Sequence, residues 1–390
     1  NNQTNNSSSQ KSVKLLESQF NKNNMIVAVR SRPLNKRELE ESNYNTIEVS
    51  NRDTVTISIP LEYVPAEKGK KYLNKEKDTK IKITKIKEAM FKFDFAFDEK
   101  SDQSEVYKYT SSNLVKQVVN GFNATVFAYG ATGSGKTYTM VGNGDNCGIM
   151  IRTIKDLFGI INKEKEKKYC IKISYVEIYN EVIKDLLSSQ SKPQALELRS
   201  DPQKGLIIQG AEVKILTNEL EAYKIILRGN KRRTEKSTDM NENSSRSHAI
   251  LQIYLEIKEN IVTLNNESTF GKLILIDLAG SEKTAVNSKA TSESGAINKS
   301  LLALGKCINN LISANKGYIP WRDSKLTRML QEPLSGNSRI VMIATISPSI
   351  SSFDETMFTL QYANRSKNLK VNIKKNILES GNLRINKYDE

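Results

Sequence analysis

The run GATGSGKT, Gly130 to Thr137, has the spacing G-x-x-x-x-G-K-[ST] and directly follows the apolar segment ATVFAY. Residues in this pattern handle polyphosphate. Glycines let the backbone bend tightly enough for its N–H groups to ring a phosphate, a lysine neutralises the outer oxygens, and a hydroxyl one residue on ligates Mg²⁺. Here the loop is Gly130, Ala131, Thr132, Gly133, Ser134 and Gly135, with Lys136 as the cation and Thr137 as the metal ligand. The implied chemistry is binding and cleavage of a nucleoside triphosphate. A plain glycine turn is the structural alternative, and the preceding strand argues against it.

Such a loop needs a carboxylate near the metal at the end of another buried strand, and LILIDLAGSE offers Asp277 there. Gly280 can bring a backbone N–H to the γ-phosphate, which makes DLAG a sensor of that phosphate. Alone, Asp-x-x-Gly reads as a strand-to-loop turn; beside a phosphate loop it reads as a switch. NENSSRSH, Asn241 to His248, groups hydroxyls, an arginine and the one histidine of the chain. Alone it is a capped loop. In a nucleotide site Ser244 and Ser245 reach the γ-phosphate and Mg²⁺, and Arg246 pairs with Glu282 to close the pocket. His248 carries no necessary chemical role.

These motifs require a scaffold of buried strands. Residues 26–29, 124–129, 171–178, 248–257, 272–277 and 340–346 read as strands, several apolar on both faces. Helical patterns cover 105–119, 149–163, 217–229, 295–315, 323–334 and 353–366. The alternation predicts an α/β fold, a central mostly parallel mixed sheet with helices on both faces. Strand-like stretches at 54–59, 80–86 and 91–97 predict a small antiparallel annex. Within the annex lies KGKKYLNKEKDTKIKITKIK, Lys68 to Lys87, with nine lysines and two acids. A solvated insertion, a nucleic-acid arm and a contact to an acidic protein surface all fit that run.

The 390 residues carry a net charge of +15, which favours an acidic partner. Three scattered cysteines, Cys147, Cys170 and Cys307, suit neither a disulfide framework nor a zinc site and point to a reducing compartment. The apolar runs are too short to span a bilayer. The opening NNQTNNSSSQ lacks an apolar core and reads as disordered rather than as a signal peptide.

In their order, the three motifs resemble the kinesin motor domain. So do VAVRSRPLN, SYVEIYNEVIKDLL, INKSLLALGKCINNL, YIPWRDSKLTRMLQEPLSGNSRIVMIATISPS and SSFDETMFTLQYANRSKNLK. The resemblance covers residues 25 to 376. It implies an ATPase that binds ATP or ADP with Mg²⁺. Arg30, Arg32 and Pro33 match the segment that walls the adenine, and Tyr138 matches the position that stacks on the base. Asn241, Ser244, Ser245 and Arg246 match switch I, with Ser245 a metal ligand beside Thr137 and Asp277; Asp277, Gly280 and Glu282 match switch II. In that family the arginine and glutamate form a salt bridge around the attacking water, and the glutamate relays its proton.

The same resemblance implies a microtubule partner. The helix from about Gly295 and the helix from Asp323 match elements that lie on the track, with Arg322, Lys325 and Arg328 facing acidic tubulin; alone, RDSKLTR is also a solvated helix face. Residues 367–376 resemble the neck linker, with Leu369 as anchor and Asn376 as latch. The chain divides into a disordered extension (1–24), a motor domain (25–366) with a basic insertion (62–88), the neck linker, and the start of a neck or a terminal tail (377–390). The class most resembled, by Ala131 and STDMNENSSRSH, is kinesin-8, whose members walk to plus ends and depolymerise microtubules. Lys68, Lys70 and Lys71 are then candidate tubulin contacts. Against that family's pattern the segment after switch II is shorter and lacks the usual arginine, which bears on how strongly the track stimulates hydrolysis. Dimerisation through segments outside this chain, a cytoplasmic location on spindle or axonemal microtubules, and no direct membrane or nucleic-acid partner complete the expectation. A slow crosslinker and, more distantly, a nucleic-acid-binding P-loop protein remain alternatives.

Overall fold

The computed structural model describes residues 25–41, 44–60, 86–188, 195–201, 205–235, 243–259, 268–282, 292–313, 317–370 and 372–378. A ten-stranded sheet crosses its centre. Along the main path the order is Val182–Asp185, Lys167–Tyr179, His248–Glu259, Ser268–Asp277, Ala124–Tyr129, Arg339–Ile346, Ile26–Ser31 and Phe95–Phe97. Pairing is antiparallel up to Ser268–Asp277 and parallel from there on. The mixed sheet expected from the sequence is present, with the phosphate-loop strand in its parallel half.

The strand Ala124–Tyr129 shows why apolar runs here do not alternate with polar residues. Ala124, Val126 and Ala128 enter one core with Val106, Leu114 and Ile226, while Phe127 and Tyr129 enter the other with Leu304, Leu326 and Leu360. Helices cover both faces, so every position of a central strand meets hydrocarbon. Helix Phe353–Ser366 matches its expected span, and Ile149–Ile161 ends two residues early.

Two expectations change. The helix expected over 105–119 is two helices, Gln103–Thr110 and Ser112–Val119. Between them Thr110 Oγ1 donates to the Val106 carbonyl at 2.7 Å, and Ser111 stands half outside both helices. The strand expected over 91–97 is divided: Ile86–Lys92 closes a three-stranded antiparallel annex with Ile47–Ser50 and Thr54–Pro60, and Phe95–Phe97 joins the central sheet. At the divide Asp94 accepts the Val27 N–H at 2.9 Å, which turns the chain from one sheet into the other. Of the strand expected over 80–86, residues 80–85 lie outside the described residues, as do most of the basic insertion and the extension 1–24.

The segment after the last helix is laid along the sheet. Leu369 is buried and its carbonyl accepts the Met25 N–H at 2.8 Å. The Asn372 N–H donates to Gly336 O at 2.9 Å. Gly336 holds φ of +117°, a backbone region that a side chain strains. Asn376–Leu378 then adds a short antiparallel strand to the start of Ser268–Asp277.

Candidate functional site

The ends of Ala124–Tyr129 and Ser268–Asp277 lie side by side, Asp277 opposite Ala128. A crevice beyond the carboxyl ends of parallel strands is where open α/β sheets bind ligands. The phosphate loop leaves the first strand at Gly130, where any Cβ would come within 2.2 Å of the Thr345 carbonyl. Gly133 and Gly135 take φ of +75° and +102°, and helix Lys136–Met140 starts immediately after. The loop is braced on two sides. Ser134 Oγ lies 2.7 Å from Thr345 Oγ1, and Arg32 Nε donates to Gly133 O at 2.7 Å. Arg32 is itself gripped by Glu38 at 2.5 Å and by Ser347 Oγ at 2.9 Å.

Lys136 Nζ donates to the Gly130 and Ala131 carbonyls at 2.9 and 2.8 Å. Burial lowers its pKa to about 8, with Asp277 and Glu282 pulling the other way. Thr137 Oγ1 donates to Asp277 Oδ2 at 2.7 Å, so hydroxyl and carboxylate meet as the motif requires. Asp277 is fully buried, and its second oxygen, Oδ1, has no hydrogen-bond partner. A buried carboxylate oxygen left without a donor beside a threonine hydroxyl suits a hard cation with oxygen ligands. Mg²⁺ therefore fits these residues. Among the described residues no cluster of three His, Cys, Asp or Glu forms a metal cage.

The two switch segments are joined. Gly280 N–H donates to Ser245 O at 2.8 Å, and Ser281 N–H donates to Gly130 O at 3.0 Å. The carboxylate of Glu282 accepts from the Thr132 N–H at 2.8 Å and the Thr132 hydroxyl at 2.5 Å. The partner expected for Glu282 was Arg246; in this conformation its bonds go to the phosphate loop, because Thr132 offers two donors at close range. Ser244 lies in the short helix Asn243–Arg246, and Asn241 lies outside the described residues.

The base-side residues separate into two roles. Tyr138, in the helix Lys136–Met140 that follows the loop, is 42% exposed. Arg30 is buried beneath it, 5.2 Å from the ring centroid, bonded to Gln103 and Thr139. Burial lowers the pKa of Arg30 against the opposing pull of Tyr138 and Asp102. Arg30 thus supports the tyrosine from below, while Arg32 supports the loop, and Pro33 is exposed beside it.

Sequence reasoning missed Arg233. It is 2% exposed, and its Nη1 donates to Asp277 Oδ2 at 2.6 Å while Nε and Nη2 reach Ser247 Oγ and O at 3.0 and 2.7 Å. Burial opposes its charge, yet Asp277 and Tyr175 outweigh burial and hold its pKa above the ordinary value. A signal existed: Ala222, Ile226, Gly229 and Arg233 follow spacings of four, three and four along helix Glu219–Glu235, and all four are buried. A charged residue on an apolar stripe has to find a partner inside.

On another face, Arg322 is exposed and Lys325 half-buried at the start of helix Lys325–Glu332. Arg328 Nη2 turns toward the Leu198 carbonyl at 3.5 Å. Leu302 and Tyr318, 63% and 78% exposed, lie on the helix Ser292–Ile312 and the segment after it, and sequence reasoning did not name them. Lys68, Lys70 and Lys71 lie outside the described residues. Asn376 Nδ2 donates to Asn123 Oδ1 at 2.8 Å, Phe270 O at 3.0 Å and Gly121 O at 3.2 Å.

Comparison with known proteins agrees with this geometry. The profile of the kinesin motor domain matches residues 30–369. Mouse kinesin-like protein KIF18A is 42% identical over 91% of this chain and 40% of its own length. Xenopus laevis KIF19 is 41% identical over 91% of this chain and 34% of its own, and Arabidopsis thaliana KIN-8B is 41% identical over 90% and 42%. The chain thus spans less than half the length of these relatives. Among solved structures, a fast kinesin superposes with a TM-score of 0.79 at 34% identity, covering 92% of this chain and 95% of that one. A KIF14 dimer bound to AMP-PNP and a microtubule gives 0.78 at 32% identity, covering 90% and 96%. With its phosphate loop, joined switches and matched length, the chain belongs to the kinesin motor domain family, and its relatives are those of the kinesin-8 class.

Proposed function

We propose that the chain is the head of a microtubule-dependent ATPase that converts ATP hydrolysis into plus-end-directed movement and destabilises the filament end. The observation that carries this reading is the bond from Gly280 N–H to Ser245 O, which ties the two switches at the place where a γ-phosphate would sit. In this reading the Gly280 N–H exchanges Ser245 O for a γ-phosphate oxygen, so gain and loss of that phosphate move both switches together. The laid-down segment through Leu369 and Asn376 supports an output that responds to this closure.

Thr137, Ser245 and Asp277 would hold Mg²⁺, which when bound neutralises charge on the β- and γ-oxygens. The residues of the chain supply positioning and charge. Lys136 leaves the loop carbonyls to meet phosphate oxygens, and the loop N–H groups ring the β-phosphate. Tyr138 stacks on the base from the platform of Arg30, and Asn241 with Ser244 borders the phosphates. Arg246 and Glu282 close around the attacking water, Glu282 taking its proton once it exchanges Thr132 for the arginine. Phosphoryl transfer needs such placement more than a strong base. Arg322, Lys325 and Arg328 make the track contact, joined by Lys68, Lys70 and Lys71 of the insertion. Residues 25–366 act as the motor unit and 367–376 as its lever, working as a dimer on spindle or axonemal microtubules.

Steady-state ATPase measured against microtubules and against free tubulin at two salt concentrations tests this. Stimulation by both, weakening with salt, is the expected result; stimulation by neither overturns the enzyme reading. A slow crosslinker is the second reading, motivated by the short segment after switch II. Filaments that attach without gliding at saturating ATP would favour it.

A further inference from the structure

We infer that Glu181 is a positioning residue for the microtubule contact: it clamps the start of the basic helix Lys325–Glu332 from the tip of a neighbouring hairpin. This rests on the microtubule reading given above. Strands Lys167–Tyr179 and Val182–Asp185 pair with Tyr179 opposite Val182, so their connection is the two residues Asn180 and Glu181. Both have left-handed backbones, φ of +49° and +59°. Two-residue hairpins of this type strongly prefer Asn-Gly, because the second position strains any side chain. A glutamate stands where glycine would fold more easily. The strain therefore points to work done by the side chain.

That work is visible. Glu181 Oε2 accepts the Lys325 N–H at 2.7 Å, across 144 residues of chain. Ser324 and Thr327 form a capping box at the same helix start, which satisfies the Thr327 and Ser324 N–H groups and leaves the Lys325 N–H to another acceptor. A carboxylate there also meets the positive end of the helix dipole. Arg328, on the same helix, adds only a long contact, its guanidinium 3.5 Å from Leu198 O in the next hairpin. Arg322 and Lys325 sit immediately around the clamped end. Fixing this end sets the height and angle at which those cations meet an acidic surface, so less order has to be imposed on contact.

The reading makes a choice that simple electrostatics would reverse. An acid beside a cationic binding face repels an acidic partner, so deleting it should tighten binding if charge alone matters. The test compares wild type with Glu181→Gln, Glu181→Ala and Glu181→Gly in microtubule-stimulated ATPase, alongside basal ATPase and Tm. Glu181→Gly relieves the backbone strain, so a loss in that variant cannot be assigned to misfolding of the hairpin, and its Tm should hold or rise. The clamp predicts that the microtubule concentration for half-maximal stimulation rises about fivefold in the Ala and Gly variants. Gln, which keeps an acceptor, should stay within about twofold of wild type, with kcat at saturating microtubules and the basal rate preserved in all three. Unchanged or lower half-maximal concentrations for Ala and Gly overturn the clamp. A wild-type protein that microtubules do not stimulate overturns the underlying reading instead, and the clamp falls with it.

Discussion

His248 Nε2 lies 2.8 Å from the hydroxyl of Ser300. The other ring nitrogen, Nδ1, accepts the Ala279 N–H at 3.0 Å, so the proton resides on Nε2 and is donated to the serine. One neutral imidazole therefore joins the DLAG segment to the helix Ser292–Ile312. Burial, with the charges of Arg233 and Lys136, lowers its pKa to about 3.

That depression has a definite sign. Below the unfolded-state value of about 6.5 the unfolded chain takes up a proton that the folded chain refuses. The contribution of His248 is therefore complete above about pH 6.5 and is lost as pH falls toward 3, at up to about 1.4 kcal/mol per pH unit. Urea unfolding of wild type and His248→Gln from pH 7 to pH 4.5 checks this. The variant should start less stable and show the shallower slope; parallel slopes would mean that the histidine is not the group responsible.

Arg233→Ala leaves Asp277 charged, buried and without its cation. Losing one partner of such a pair costs about 3–5 kcal/mol, so the variant should unfold at markedly lower urea. Arg233→Lys keeps a charge but not the fork that reaches Asp277 and Ser247 together, and should lose less stability. In nucleotide titrations with and without Mg²⁺, the lysine variant should lose more of its affinity in the presence of the metal. Equal losses in both would show that Arg233 supports the fold alone.

In the proposed site, Lys136 is the cation that meets the phosphate. With a pKa near 8 in the conformation described here, its ammonium begins to discharge just above neutral pH. Affinity for ADP, followed by a fluorescent nucleotide, should weaken from pH 7 to pH 9, and Lys136→Ala should remove that dependence. The same variant should hydrolyse ATP roughly a hundredfold more slowly or worse.

The Asn376 amide shares its two N–H hydrogens among three acceptors where the neck segment ends its run on the sheet. At about 1 kcal/mol net for each of its two N–H groups, Asn376→Ala should shift the docked population by roughly thirtyfold. Gliding velocity should fall several-fold while filaments still attach. A spin label on the segment should report greater mobility in the variant with ATP analogue bound; unchanged mobility would assign docking to Leu369 and the backbone.

What the sequence revealed depended on whether a residue's task is local. The phosphate-loop turn and the Thr137–Asp277 contact were legible because they follow from spacing within a few residues of a strand end, whereas the Gly280 N–H, expected on a phosphate, bonds Ser245 O. Most strands were legible because hydrocarbon lies on both sides of the sheet. Ser111 was not: dividing a helix there depends on side-chain bonds that no periodicity records. Arg233 resembled its neighbours Lys231 and Arg232, and only its place on a buried stripe distinguished it. The link between Glu282 and Thr132 depends on the conformation the loops adopt, which the motif leaves open. Glu181 lay inside a recognised motif, yet its meaning required a helix 144 residues away.

The strand Ser268–Asp277 touches both ends of the proposed machine. Its first residues pair with Asn376–Leu378, and its last residue carries the carboxylate shared by Thr137 and Arg233. Extended backbone scarcely stretches, so its ten residues hold the two places about 30 Å apart whatever nucleotide is bound. That strand is the stator. The stroke has to come from what slides past it, the switch loops and the helix that His248 holds, and any variant that softens the strand itself should blunt force before it blunts hydrolysis.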